Sequence, residues 1–150
     1  MGIVNVILNI KQIHPKDIAI IKIGNFYYVY GKDAFIISYI FKYKLRKVEE
    51  PNIYSCAFPK NSYNKVIAKL ENRKINYIVI DRRNNYEIDE ELNNKNLNNY
   101  DEIYEKAHRY INLKARADNI YNYIINNIEK DSTKNIIKKI EEILNEKWKV

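Results

Sequence analysis

The feature that most constrains the fold is the segment 18–30, which reads IAIIKIGNFYYVY. Two runs of β-branched and aromatic residues flank the pair Gly24-Asn25, and such a pair between apolar runs is typical of a tight turn. The segment therefore predicts a strand or a β-hairpin. His14-Pro15 precedes it. Because the residue before a proline is disfavoured in the α conformation, the short helix indicated by apolar spacing from Ile3 onward should end by His14.

Alternating helical and strand patterns continue to about residue 83. A nearly all-apolar helix should cover about 32–42, with Asp33 in its first turn. Two short strands should follow, at 44–49 and 53–58, joined near Pro51-Asn52. Asn61 or Ser62 can cap a helix that runs to about 74 on a stripe of Val66, Ile67 and Leu70, and a buried strand follows at 77–80. This order predicts an α+β fold in which a mixed β-sheet is flanked by helices.

The second half of the chain has a different pattern. Residues 85–99 are polar and rich in asparagine, which predicts a linker between a first domain at 1–84 and a C-terminal helical hairpin at 100–150. In the hairpin, Asn99 and Glu102 would cap a long amphipathic helix, and a second helix would begin at 131–133 and carry a stripe from Ile136 to Trp148. Two such helices cannot bury both stripes alone, so we expect packing on the first domain, on a second copy, or on a partner protein.

Charge and composition restrict the class of protein. The chain of 150 residues carries a formal net charge of +7, and residues 1–83 hold 15 basic and 6 acidic side chains, a balance of +9. A basic first half suggests a surface for phosphates, although AT-rich codon usage would also raise the lysine and tyrosine content. With one cysteine, no signal-peptide pattern and no long apolar run, we expect a cytoplasmic protein without membrane association.

Few residues in the sequence can carry chemistry. There are three glycines and no GxxxxGK[ST] motif, which leaves no phosphate cradle. His14 and His108 are far apart, and Cys56 lies in a predicted strand, where a lone cysteine is more often a core residue than a nucleophile. We therefore expect no enzyme activity, no cofactor and no metal site.

Basic side chains are the stronger signal. Lys44 and Arg46 alternate onto one face of a predicted strand, and another pair, Arg82 and Arg83, ends a later one. A third group shares one face of the predicted helix: Lys65, Lys69 and Arg73. All seven could contact nucleic-acid phosphates, or could simply form an ordinary solvated surface.

Several short motifs resemble the N-terminal mismatch-recognition domain of MutS proteins. His14-Pro15 and the apolar strand are followed by Gly-Asn-Phe-Tyr-Tyr at 24–28 and by Gly-Lys-Asp-Ala at 31–34, where the family has Gly-Asp-Phe-Tyr-Glu and Gly-x-Asp-Ala. A weaker match covers Cys-Ala-Phe-Pro at 56–59 and the strand YIVID. The resemblance covers about half of the chain and implies a mixed sheet flanked by helices.

The resemblance implies roles for two residues. Phe26 stands where the family has a phenylalanine that wedges into the base stack, and Tyr28 stands where the family has a glutamate that bonds the mispaired base. Tyrosine lacks the negative charge, so we expect weak or no mismatch selectivity. A second reading stays open, because Phe26, Tyr28 and Tyr30 alternate on one strand face and could be core.

Three functions follow from this pattern. The first is a non-catalytic module that binds duplex DNA or an RNA–DNA duplex, with Phe26, Tyr28 and the basic residues as its contacts. The second is an adaptor that has lost DNA recognition and docks a reverse transcriptase or another nucleic-acid enzyme, as stand-alone MutS-like accessory proteins of diversity-generating retroelements would, or that forms a homo-oligomer through its C-terminal helices. The third is a relic without a partner. We expect no connector, lever, clamp or ATPase part to accompany the domain.

Overall fold

A computed structural model of the chain describes residues 2–48, 52–93 and 97–148, with side chains described as far as Glu146. It divides into two compact units, Met1–Ile111 and Asn112–Val150. In the described part of the chain, no helix is both long and apolar enough to cross a membrane.

The first unit is built on one six-stranded sheet. Its strands are β1 (Ile18–Ile23), β2 (Phe26–Tyr30), β3 (Arg46–Val48), β4 (Ile53–Pro59), β5 (Tyr77–Asp81) and β6 (Glu87–Leu92). The helices are α1 (Ile3–Ile13), α2 (Lys32–Phe41), α3 (Tyr63–Asn72), α4 (Tyr100–Asn126) and α5 (Asp131–Trp148). The spatial strand order is β3-β4-β2-β1-β5-β6. Strand β1 pairs parallel with β5, and the other neighbouring pairs of the described strands are antiparallel. The predicted mixed sheet flanked by helices is confirmed.

The segment 18–30, predicted to form a strand or a hairpin, forms the hairpin of β1 and β2. Gly24 has a φ of +63°, a left-handed conformation that costs glycine little, and it lets the chain reverse within two residues so that Ile23 pairs with Phe26. Helix α1 ends at Ile13, as His14-Pro15 predicts.

Two apolar cores lie on opposite faces of the sheet. On one face Ile7 of α1 packs against alternate residues of β1 and β5: Ala19, Ile21, Ile78 and Ile80. On the other face the intervening residues Ile18, Ile20, Tyr77 and Val79 join a larger core with α2, α3 and the first turns of α4. Both faces of the two parallel strands are therefore buried, which explains their continuous apolar sequences.

The prediction of a linker at 85–99 is wrong. Glu87–Leu92 forms β6, an edge strand that pairs antiparallel with β5 through a register shift between Val79 and Ile80. Its sequence, EIDEEL, is largely exposed and charged, so pairing with β5 rather than any apolar pattern makes it a strand. The first unit also continues to Ile111 instead of ending at residue 84.

Two local predictions at helix starts are also corrected, and a third is confirmed. Ser62 precedes α3 without a side-chain capping hydrogen bond, because a 3₁₀ turn at Lys60–Ser62 leads into the helix. Asn99 does not cap α4 with its amide, which instead donates to the Arg73 carbonyl at 2.9 Å. Asp33 lies in the first turn of α2, as predicted, and its side chain is buried, 1% exposed. Residues 49–51, where a strand end and part of a turn were expected, lie outside the described residues.

The second unit contains the end of α4 and helix α5. Thr133 is buried, and its hydroxyl donates to the Asn127 carbonyl at 2.6 Å, which fixes the connection between the helices. The predicted pair of C-terminal helices is confirmed. The side chain of Trp148 lies outside the described residues.

Candidate nucleic-acid interface

Strand β2 places its aromatic side chains on alternate faces of the sheet. Tyr27 and Val29 are buried in the larger core. Phe26, Tyr28 and Tyr30 lie on the opposite face, and Phe26 is 46% exposed at the end of the strand. The core reading of Phe26 is therefore wrong for this residue, whereas Tyr28 and Tyr30 are half-buried and stack with ring centroids 6.4 Å apart.

A cleft of about 340 Å³ opens beside Phe26. It is lined by Phe26, Tyr28, Lys44, Arg46, Ser55 and Ala57. The register explains the grouping: Tyr28 pairs with Ala57 on β4, and Ser55 pairs with Arg46 on β3, so all four side chains share one face of the sheet. The small side chains of Ser55 and Ala57 form its floor, between the rings and the two basic residues. Sequence reasoning missed Ser55 and Ala57, because their role depends on strand pairing.

A further basic residue, Arg82, follows β5, on the side of β2 away from β3 and β4. Burial raises the pKa of Tyr30, Tyr28 and Tyr86 add to the rise, and Arg82 opposes it. Arg82 therefore acts electrostatically on Tyr30, which stacks on Tyr28 of the cleft. It is exposed in the 3₁₀ turn Arg82–Asn84 after β5, where the backbone amide of Arg83 donates to Asp81 Oδ1 at 2.8 Å.

The remaining predicted basic residues lie elsewhere. Helix α3 packs on the larger core through Val66 and Leu70, on the face of the sheet opposite to Phe26. Lys65 and Lys69 are exposed on that helix, and Arg73, which follows it, is half-buried. The cleft therefore brings together Phe26, Tyr28, Lys44 and Arg46, and it does not include the α3 group.

The two histidines and the cysteine, which were the candidates for catalysis, contact residues of the fold. His14 lies 3.0 Å from Asp17, from Nδ1 to Oδ2, and His108 stacks on Phe35. Cys56 is 1% exposed, and burial raises the pKa of its thiol to about 11, as expected for a core cysteine rather than a nucleophile. Within the ranges that the structure describes, no three histidine, cysteine, aspartate or glutamate side chains are grouped so that they could hold a metal ion.

The fold and the cleft define a small α+β domain with an exposed aromatic ring beside basic side chains, a combination suited to nucleic acid. Comparison with protein families makes the class specific: the model for MutS domain I matches residues 2–101. The chain belongs to the MutS domain I family, which indicates a nucleic-acid or mismatch recognition module. No curated protein matches the sequence.

Proposed function

We propose that this MutS domain I associates with duplex DNA or an RNA–DNA duplex through the cleft beside Phe26, and that it does no chemistry on the duplex. The observation that carries the proposal is the 46% exposure of Phe26 in a cleft that also holds Lys44 and Arg46. A large ring exposed at a strand end, with two cations beside it, fits a groove bordered by phosphates.

The residues of the cleft have separate roles in this proposal. Lys44 and Arg46 contact phosphates on one side of the ring, and Arg82 contacts them on the other. Phe26 packs against the base edges of the groove at a step that the duplex opens easily. Among the described residues the lining has no carboxylate, imidazole or thiol, so its Ser55 hydroxyl has no general base of these kinds beside it, which favours a binding role.

Mismatch selectivity is weak or absent in this proposal. Tyr28 lies in the cleft, where the family resemblance places a glutamate. Its hydroxyl can donate or accept a hydrogen bond, but it cannot provide the charge of a carboxylate. A ring wedge without that partner leaves much of the cost of unstacking, a few kcal/mol per base step, without compensation.

A salt series with the full chain tests the proposal. Fluorescence anisotropy with a labelled duplex should give a Kd of about 10⁻⁴–10⁻⁶ M near physiological salt, and the affinity should fall steeply as salt rises. The absence of duplex binding at low salt would refute duplex association.

A second candidate function is an interaction adaptor that uses the second unit, with either a second copy of the chain or a reverse transcriptase as the partner. One observation favours it: eight large apolar side chains of this unit are between 43% and 63% exposed, namely Leu113, Ile120, Tyr121, Tyr123, Ile125, Ile128, Ile143 and Leu144. Light scattering on the full chain separates the partners, because a mass of one chain, 18.0 kDa, would exclude self-association.

A further inference from the structure

A second aromatic and basic surface lies on the sheet face opposite to the cleft, within the first unit. We call it the aromatic strip, and it consists of Phe35, Tyr39, Tyr54, Tyr104, His108 and Tyr110. Helix α2 supplies its middle, since positions 32, 35, 39 and 42 are spaced so that they lie along one side of a helix. Strand β4 supplies one edge and the first half of α4 supplies the other.

The rings of the strip form two contact groups. Phe35 is central to the first: its ring centroid lies 5.0 Å from that of Tyr54, 6.2 Å from that of Tyr104 and 6.0 Å from that of His108. Tyr39 and Tyr110 form the second, with centroids 5.4 Å apart. Tyr39 and Tyr104 pack against the larger core, which accounts for their burial. Packing in the core does not account for the exposure of Tyr54 and Tyr110.

Several rings of the strip are accessible from solvent. Tyr54 is 38% exposed and Tyr110 is 36% exposed, and His108 is also exposed. An open cleft of about 260 Å³ lies at the Tyr54 end, lined mainly by Lys32, Phe35, Tyr54 and Tyr104. The cleft is open and bordered by aromatic rings, so a planar group can enter it edge-on and stack.

Three lysines lie over these rings. Lys32 Nζ is 4.9 Å from the Tyr104 centroid, Lys42 Nζ is 3.8 Å from that of Tyr110, and Lys47 Nζ is 5.8 Å from that of Tyr54. In the part of the chain that the structure describes, none of the three forms an ion pair with a carboxylate. Their charges are therefore available to an anionic ligand that also presents flat rings.

We propose that the aromatic strip binds single-stranded nucleic acid. Unpaired bases stack on Tyr54, Tyr110 and His108, while Lys32, Lys42 and Lys47 contact the phosphates between them. Proteins that bind single strands without sequence preference combine aromatic stacking platforms with cations along the backbone, and the strip has both. A duplex presents phosphates but keeps its bases stacked inside, so the strip favours the single strand.

The first test uses the full chain and a labelled 15-nucleotide oligothymidylate. We compare Lys32→Gln/Lys42→Gln/Lys47→Gln with Lys134→Gln/Lys138→Gln/Lys139→Gln, which removes the same charge from the second unit. Each phosphate contact contributes about 0.7 to the slope of log affinity against log salt, so the strip variant should lower the slope by about 2 while the control changes it little. Equal effects of the two variants would overturn the proposal.

The second test separates stacking from charge. Tyr54→Leu/Tyr110→Leu should weaken oligothymidylate binding by about tenfold or more without changing the salt slope, because leucine keeps the apolar contacts and loses the ring. Tyr54→Phe/Tyr110→Phe should bind like the wild type. Circular dichroism confirms folding, and binding by the folded leucine variant at wild-type strength would refute stacking. If that variant does not fold, the lysine comparison decides.

The two proposed surfaces can fail separately. Lys44→Gln/Arg46→Gln removes charge from the duplex cleft and should leave oligothymidylate binding within about twofold, since the strip lies on the other sheet face. A wild-type chain that binds duplex but no single strand would overturn the strip and leave the duplex proposal standing. A wild-type chain that binds a single strand but no duplex would overturn the duplex proposal and leave the strip standing.

Discussion

The hydroxyl of Tyr100 donates a hydrogen bond of 2.6 Å to Asp33 Oδ1 and thereby joins the first turn of α4 to the first turn of α2. Asp33 also accepts from Lys11 Nζ on α1 and from the backbone amide of Ala19 on β1, each at 3.0 Å. Burial raises the pKa of Asp33, and the Lys11 charge and these hydrogen bonds oppose the rise. One carboxyl group therefore connects three helices and a strand of the first unit.

Loss of the Tyr100 hydroxyl should destabilise the protein. Burial and the neighbouring Asp33 carboxylate raise the pKa of Tyr100, so the phenol keeps its proton and acts as the donor. Tyr100→Phe should lower the free energy of unfolding by about 1.5–3 kcal/mol, the range for hydrogen bonds to charged groups. Urea denaturation measures this loss, with Tyr121→Phe as the control because Tyr121 is 63% exposed. Equal stability of the two variants would show that the bond contributes nothing.

Truncation should locate the boundary of the first unit. A chain that ends at Ile111 should stay folded, because it keeps the buried residues Tyr100, Ile103 and Ala107. A chain that ends at Asn99 loses these three residues and should be strongly destabilised, since the loss of Tyr100 and Ile103 leaves cavities in the larger core. Circular dichroism melting of both chains decides, and similar melting temperatures would contradict the boundary at Ile111.

Features of the fold that depend on neighbouring residues were predictable from the sequence, and features that depend on remote residues were not. The β1–β2 turn and the end of α1 were predictable, because glycine and proline act on their immediate neighbours. Strand β6 was not, because its charged sequence is held by pairing with β5 and has no apolar alternation of its own. The first-turn position of Asp33 was predictable, but its hydrogen bonds were not, because two of its partners, Lys11 and Tyr100, are remote in sequence and belong to other helices.

The candidate site was predictable to a similar extent. Alternation along β2 predicted that Phe26 and Tyr28 share one face of the sheet. It could not predict that the helix packed on this face, α1, leaves Phe26 exposed. Helical spacing grouped Lys65 with Lys69 correctly, although α3 packs on the other face of the sheet. Lys44 and Arg46 join Phe26 only through the pairing of β3, β4 and β2.

The buried thiol of Cys56 makes stability sensitive to alkaline pH. Its pKa rises from 9.0 to about 11 in the folded chain, so between these values the folded state holds a proton that the unfolded state has lost. The free energy of unfolding should therefore be unaffected below pH 9 and should fall by at most about 3 kcal/mol as pH rises to 11. Urea titrations of the wild type and Cys56→Ala at pH 8 and 10.5 isolate this contribution. The same loss in both proteins would exclude Cys56 as its source.

Mismatch preference should be small, because Tyr28 stands where the family resemblance implies a glutamate. The affinity for a duplex with one G·T mismatch should exceed that for its matched parent by less than about tenfold. The reason is that Tyr28 provides no carboxylate beside the Phe26 wedge. Phe26→Ala should reduce matched-duplex affinity by less than about threefold, since phosphate contacts supply most of that binding. Competitive anisotropy measures both quantities. A preference of tenfold or more that Phe26→Ala abolishes would show that Tyr28 supports recognition.

The central claim is that the cleft beside Phe26 is the duplex-binding surface. The most direct measurement is the salt dependence of duplex affinity for Lys44→Gln/Arg46→Gln, against Lys65→Gln/Lys69→Gln as a control with the same charge change on the opposite face. Each lost phosphate contact lowers the slope of log affinity against log salt by about 0.9. We expect the cleft variant to lower it by about 2 and the control to leave it nearly unchanged. An unchanged slope for the cleft variant, or the same loss in the control, would contradict the claim.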